Sequence, residues 1–285
     1  MSAKTPHTTK DNSTEPEIVA TRDPASAIYL IAAIAGNTFR EAVRDRVLYN
    51  LLLFALLLIG GAIFLGELSG GQEAKIIVDL GLSATLLFGV FIAIFVGVGL
   101  VYKEIERRTL YAILSKPVSR GRFLFGKYLG LCLTLLVNVL VMGAGVSLAL
   151  AYVTKGLNPL IFSIWPAIFL IYFELAVITG VALLFSSFSS PALSALLTFL
   201  VFIIGHLSAD LKSFASSLGG TTARWFFNAL YYLLPNLAHY SFITPAAHGQ
   251  TPAPGSFLLA LLYGCVYVAV LLTAATLIFN QRNFK

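Results

Sequence analysis

Six stretches of this chain are apolar over roughly the length a helix needs to cross a lipid bilayer, and that feature decides most of what the chain can fold into. They are Val47–Leu65, Leu80–Tyr102, Phe123–Val153, Leu160–Phe185, Ala192–His206 and Phe257–Phe279. A helical crossing takes about 20 apolar residues; the fifth stretch is shorter, and its flanks make it a span. Inside lipid the backbone must satisfy its own hydrogen bonds, which leaves helices or a closed barrel. The alternating pattern of barrel strands is absent. Charged residues make up 11% of the chain and mean hydropathy is +0.87, whereas an ordinary soluble domain is about 25% charged. The expected fold class is therefore all-α, a polytopic membrane protein with six transmembrane helices and no sizeable soluble domain.

Charge sets the expected orientation. Of nineteen Lys and Arg residues, only Lys75, Lys155, Lys212 and Arg224 fall outside when the N-terminus is placed inside. The positive-inside rule selects that arrangement, with both termini cytoplasmic in the cell inner (plasma) membrane. The net charge of +6 is what such a protein carries to orient its helices, so it implies no nucleic-acid partner. Residues 1–27 are polar, rich in Thr, Ser and Pro, and lack the apolar core of a signal peptide; a disordered cytoplasmic tail is expected, followed by one transmembrane domain over residues 28–285.

Within that domain, residues 28–46 mix Arg40, Arg44 and Arg46 with Glu41 and Asp45, while Ile34, Phe39, Val43 and Val47 fall on one side. The pattern predicts an N-terminal helix lying along the membrane interface, with a ragged extension of the first span as the alternative. Residues 207–256 carry RWFFNALYYLLPNLAHYSF, aromatic but broken by Asn228, Pro235, Asn236 and His239. Trp and Tyr gather at headgroup level, so interfacial or re-entrant helices on the outer side are expected there.

The stretch KEIERRTLYAILSKPVSRGR, Lys103 to Arg122, holds six of the nineteen basic residues and two of the thirteen acids. Lys103–Ser115 contains no Gly or Pro, Glu104 and Arg108 are spaced for an i,i+4 ion pair, and Ile105, Thr109, Ala112 and Ile113 fall along one face. Pro117 disfavours helix at Lys116, and Ser119 is placed to cap the next helix. This predicts a short amphipathic cytoplasmic helix over 103–116, then a kink, then a fresh span. A loop that only fixes topology would need the Lys and Arg but not the interleaved Glu104 and Glu106 or the apolar stripe; a protein-docking helix accounts for all of them.

KEIERRTLYAILSKPVSRGRFLFGKYLG resembles the cytoplasmic segment between the second and third spans of ABC-2 type transporter permeases. NTFREAVRDRVLYNLLLFALLL is similar to the entry to their first span, FELAVITGVALLFSSFSSPALSALLTF to their fourth and fifth, and LYYLLPNLAHYSF to the segment before their last. The likeness runs in order from Asn37 to Lys285 and is closest to single-domain permeases of the nitrous-oxide-reductase maturation type. It implies that 103–116 is a coupling helix docking on a separate ABC ATP-binding subunit through Glu104, Arg107, Arg108, Thr109, Leu110 and Leu114. It further implies a second copy of the permease, membrane lipid as the surroundings, an outer-side partner protein in the maturation type, and no cofactor on this chain, with ATP and Mg held by the partner subunit. The chain itself has no GxxxxGK[ST] phosphate loop.

Glu174, mid-span in IYFELAVITG, is a pathway-lining or proton-linked acid, or else a protonated acid bonded to a neighbouring helix; the sequence does not separate the two. Asp79 reads as interfacial. Cys132 and Cys265 sit in apolar runs without a CxxC or zinc pattern, and His206, His239 and His248 form no metal motif. Small residues recur four apart at Gly89, Ala93 and Gly97, at Gly126 and Gly130, and at Gly143, Ser147 and Ala151, spacing that lets helices approach closely. The leading expectation is the non-catalytic membrane subunit of an ATP-driven exporter of an amphipathic, lipid-linked or polymeric compound. Behind it stand a mechanical subunit that acts on an outer partner, a proton-coupled secondary transporter using Glu174, and a membrane enzyme.

Overall fold

The computed structural model describes residues 24–106, 119–156, 158–208 and 221–281. Among the described residues there are ten α-helices, one 3-10 turn and no strand. In chain order they are α1 Pro24–Val43, α2 Arg46–Glu67, α3 Glu73–Glu106, α4 Arg120–Val153, α5 Pro159–Ser163, α6 Trp165–Ser186, α7 Pro191–His206, α8 Thr221–Leu233, the 3-10 turn Leu237–Tyr240, α9 Ile243–Ala247 and α10 Pro254–Gln281.

Five of these segments are long and apolar enough to cross a membrane: α2, α3, α4, α5 with α6, and α10. The remaining expected span, the fifth in chain order, is α7, only 16 residues long, roughly 24 Å at 1.5 Å per residue. By contrast α3 and α4 have 34 residues each, roughly 51 Å, well beyond the ~30 Å hydrocarbon layer.

Local chemistry sets the helix boundaries. The break between α1 and α2 falls at Arg44–Asp45, where the Asp45 carboxylate accepts from the Val47 N–H at 3.0 Å and caps α2. The helical stretch entering the first span is thus two helices, and α1 begins at Pro24, inside the stretch expected to be tail. Asn158 caps α5 in the same way, accepting from Leu160 at 3.1 Å. Pro159 and Pro191 open α5 and α7, where a missing N–H costs nothing. Ser119 occupies the N-cap position of α4 but makes no side-chain capping bond.

Contacts between helices fix their directions. Gly81 of α3 lies against Val146 of α4, and Gly97 lies near Leu131, so these two run antiparallel. Gly89 abuts Leu175 and Gly97 approaches Ala182, so α3 and α6 run parallel. Gly180 meets Leu271 while Val177 lies by Gly264, which makes α10 parallel to α6. Two faces result. The terminal face carries the start of α2, the end of α3, the start of α4, the Ser187–Ser190 turn and the end of α10. The distal face carries the α2–α3 turn, α5, and α8 to the start of α10, and α7 runs toward it.

The centre is α3 and α6, each 72% buried over its most apolar window, against 22% for α2 and α10, which turn Leu57, Leu58, Leu262 and Val266 outward. Buried hydroxyls satisfy themselves locally: Thr85, Thr134, Thr179, Ser186 and Thr198 each donate to the carbonyl four residues back at 2.6–2.9 Å. The small residues at four-residue spacing serve contacts within the chain. On α4, Gly126 receives Ile34 and Gly130 receives Ala35 O and Thr38, so α1 lies directly on the α4 backbone.

Candidate functional site

On the terminal face, the end of α3 and the start of α4 flank the expected docking segment in the chain, and α4 is tied there to α1 and α10. Helix α3 continues unbroken to Glu106, so Lys103 and Glu104 belong to the last turns of the second span rather than to a separate helix. Arg107, Arg108, Thr109, Leu110 and Leu114 lie outside the described residues. The chain re-enters at Ser119, and the start of α4 is tied to its neighbours. The Arg120 guanidinium donates to the Phe279 carbonyl at 2.7 Å, near the end of α10, and lies 5.9 Å from that ring's centroid. A cation among the last carbonyls of a helix is favourable. Seven residues on, the Lys127 side chain is 2% exposed, with Nζ 3.8 Å from Glu41 Oε2 of α1 and 6.0 Å from the Phe123 ring centroid. The base of α4 is thereby fastened to α1 on one side and to α10 on the other.

The second site lies within the bundle. Glu174 is fully buried, twelve residues before the end of α6. A charged side chain at that depth costs about 2.5–3.5 kcal/mol on insertion scales, so its partner matters. Its Oε1 is 3.2 Å from Nδ1 of His206, the last residue of α7. Oε2 has no hydrogen-bond partner among the described residues. The imidazole is 32% exposed and packs on Phe202 at 5.5 Å between ring centroids. Helix α7 therefore stops beside an acid in the middle of α6, short of the distal face.

The space beyond α7 is filled by the segment that follows Pro235. Gly205 packs under Pro235 O and Leu237. Leu237, Tyr240 and Ala246 are buried, and the Tyr240 hydroxyl donates to Ala260 O of α10 at 2.9 Å. Non-helical backbone at membrane depth is tolerated when protein covers it, and here Pro235, Leu237 and Tyr240 are covered while His239 and Ser241 are exposed.

The sequence marks His206 only as the last residue of the fifth apolar stretch and as part of no metal motif, and neither signal links it to Glu174. Folding α6 and α7 back on each other about the Ser187–Ser190 turn would have set Glu174 near Ile203, one turn from His206. Asp79 stands two turns into α3, and His239 packs on Tyr263 at 5.5 Å between ring centroids. No cluster of three metal-ligating side chains occurs among the described residues.

Two grooves open on the sides of the bundle. One, of about 520 Å³, runs between α6, α7, α10 and residues 232–235, with Tyr232, Tyr263 and Tyr267 toward its distal end and Val181, Leu184 and Phe185 toward the other. The other, of about 300 Å³, lies between α4, α6 and α10 and is lined by Phe125, Tyr128, Cys132 and Cys265 among others.

A multi-pass helical membrane protein whose two longest helices end and begin on one face is the class that fold and sites define. Residues 32–284 match the family described as ABC-2 family transporter protein, and the chain belongs to that family. It is 32% identical over 130 residues to the probable ABC transporter permease protein NosY of Stutzerimonas stutzeri, a match covering 44% of this chain and 47% of that protein. It is 30% identical over 214 residues to the probable ABC transporter permease protein NosY of Pseudomonas aeruginosa, covering 73% of this chain and 70% of the relative. The chain thus spans about half the length of the first of these relatives and more of the second.

Proposed function

We propose that this chain is the membrane-spanning permease subunit of an ATP-driven ABC-2 type exporter, moved by a separate ATP-binding subunit that docks on residues 103–116. Glu104, Arg107, Arg108, Thr109, Leu110 and Leu114 make the docking contact, and the substrate is amphipathic, lipid-linked or polymeric. The observation that carries this reading is the bracing of the segment's exit. A displacement applied between α3 and α4 reaches α1 through Gly126, Gly130 and Lys127, and reaches α10 through Arg120. A loop serving topology alone needs no such bracing. Like its family, the chain supplies a membrane path and the partner supplies hydrolysis.

The test is affinity purification from host membranes, with a parallel sample carrying Glu104→Lys and Leu110→Asp. A Walker-type ATPase that accompanies the wild type and is lost from the variant supports docking. Equal retention, or no ATPase at all, overturns it.

A second reading, a mechanical subunit that passes ATP-driven motion to a partner outside the membrane, is favoured by one observation. Helix α8 on the distal face exposes Trp225, Phe226, Tyr232 and Leu233. ATPase activity stimulated by a distal-side protein, and not by apolar compounds, selects that reading over export.

A further inference from the structure

We propose that Glu174 and His206 form a proton-binding site inside the membrane, loaded from the distal face, and that the bound proton holds the end of α7 against α6. Neither residue is used by the docking reading, and the proposal stands independently of it.

The argument starts from charge. The pair shares one contact, Oε1 to Nδ1 at 3.2 Å, and leaves Oε2 buried without a partner among the described residues. One proton beyond the bare carboxylate and neutral imidazole makes the pair neutral wherever it resides. On Glu174 it gives an acid beside a neutral ring; on His206 it gives an ion pair. Removing it leaves a buried negative charge with one bare oxygen, and adding another leaves a positive one. Both alternatives place net charge in a medium that solvates it poorly. Neither groove includes Glu174 in its walls, and a proton is the ligand whose binding needs no space.

The surroundings are otherwise nearly free of competing charge. Helix α3 has no Asp, Glu, Lys, Arg or His between Asp79 and Lys103, and α4 has none after Lys127. Helix α5 has none, and Tyr172 is the other titratable group of α6. Helix α10 brings Tyr263, Cys265 and Tyr267, α4 brings Tyr128 and Cys132, and the 3-10 turn brings His239 and Tyr240. The proton's residence is therefore decided by Glu174 and His206 together.

Access is one-sided. Toward the terminal face, the polar side chains of α6 and α7 between the pair and the Ser187–Ser190 turn are Thr179, Ser186, Ser194 and Thr198, and all are committed locally: Thr179, Ser186 and Thr198 each to the carbonyl four residues back, and Ser194 to Ser189. Toward the distal face polar groups follow one another. His206 is partly exposed, Ser208 donates to Asn236 Oδ1 at 2.6 Å, and the Asn236 N–H donates to Tyr263 Oη at 2.8 Å. His239 packs on that same tyrosine.

The experiment is infrared difference spectroscopy on the protein as purified from its membranes, reconstituted in vesicles, with pH stepped between about 5 and about 9. Wild type, Glu174→Gln and His206→Asn are compared. The wild type is expected to show carboxyl or imidazole difference bands. Glu174→Gln should lack the carboxyl signal, and His206→Asn should move the pH at which it appears. With pH stepped on one side only, the wild-type signal should follow the distal side. Identical spectra for wild type and Glu174→Gln overturn the site, and a signal that follows the terminal side overturns the route. Should Glu174→Gln not fold, His206→Asn and the one-sided step on the wild type still decide. The holding role predicts that the double variant is no less stable than the worse single variant; additive losses overturn it.

Discussion

The seat of α1 on α4 can be tested by adding a single methyl group. An alanine Cβ at Gly130 would stand 2.6 Å from Ala35 O, 2.6 Å from Thr38 Cβ and 2.9 Å from Thr38 Cγ2. Two of these atoms belong to backbone or its first side-chain carbon, so no rotamer change relieves the clash and α1 must move. Overpacking of this kind costs about 1–3 kcal/mol. The same substitution gains about 1 kcal/mol of helix propensity, leaving a net loss of about 0–2 kcal/mol. Gly36 provides the control on the same interface helix. A Cβ there meets nothing within 4 Å, so Gly36→Ala keeps the propensity gain and stabilises by up to about 1 kcal/mol. The two variants should therefore differ by about 1–3 kcal/mol, which at roughly 2–4 °C per kcal/mol separates their Tm values by several degrees. Thermal unfolding in one detergent, with both variants and wild type side by side, is sufficient. If Gly130→Ala is as stable as Gly36→Ala, α1 does not rest on the α4 backbone, and the bracing of the docking segment loses one of its two arms.

Arg120→Gln should weaken the tie between α4 and α10 by about 1–2 kcal/mol, since it removes a charge-assisted bond to Phe279 O and the cation over the ring; a lower Tm with faster exchange of the last α10 amides is the expected result. Tyr240→Phe should cost about 0.5–1.5 kcal/mol, the value of the bond to Ala260 O, whereas Tyr240→Ala should cost about 3–5 kcal/mol because the ring is fully buried. If both cost the same, the segment after Pro235 does not plug the bundle. Glu104→Lys with Leu110→Asp should leave Tm close to wild type while abolishing recovery of the ATPase, and a large Tm loss would mean that these residues serve the fold instead.

Much of the architecture was legible because lipid leaves the backbone so few choices. Runs of apolar residues located α2, α3, α4, α6 and α10, and the count of Lys and Arg supplied an orientation. Features that depend on one helix meeting another were less accessible. Gly126 and Gly130 were recognisable as a close-packing pair, but only the structure identifies α1 as what they receive. Asp45, which reads as one charge among several, is the cap that separates α1 from α2. The continuation of α3 through Lys103 to Glu106 was hidden because the change from apolar to charged composition looks like a helix end, although no Gly or Pro interrupts it. Glu174 was singled out on cost alone. Its partner His206 was not, because finding it requires folding α6 against α7, although the end of that stretch at His206 was already legible.

The disparity between α7 and its neighbours also acts on the surrounding lipid. Helix α7 faces outward along Leu193, Leu196, Leu200 and Ile203, yet at roughly 24 Å it is shorter than the ~30 Å hydrocarbon layer, while α3 and α4 exceed that layer by about 20 Å. A bilayer meeting so short a lipid-facing helix thins locally, which draws headgroups and water inward beside His206. Where α7 meets lipid directly, a dimple in the membrane is the expected result on that side, with the thickness of the host bilayer a variable of the protein's working state. Vesicles of shorter-chain lipid should flatten that dimple, and longer chains should deepen it.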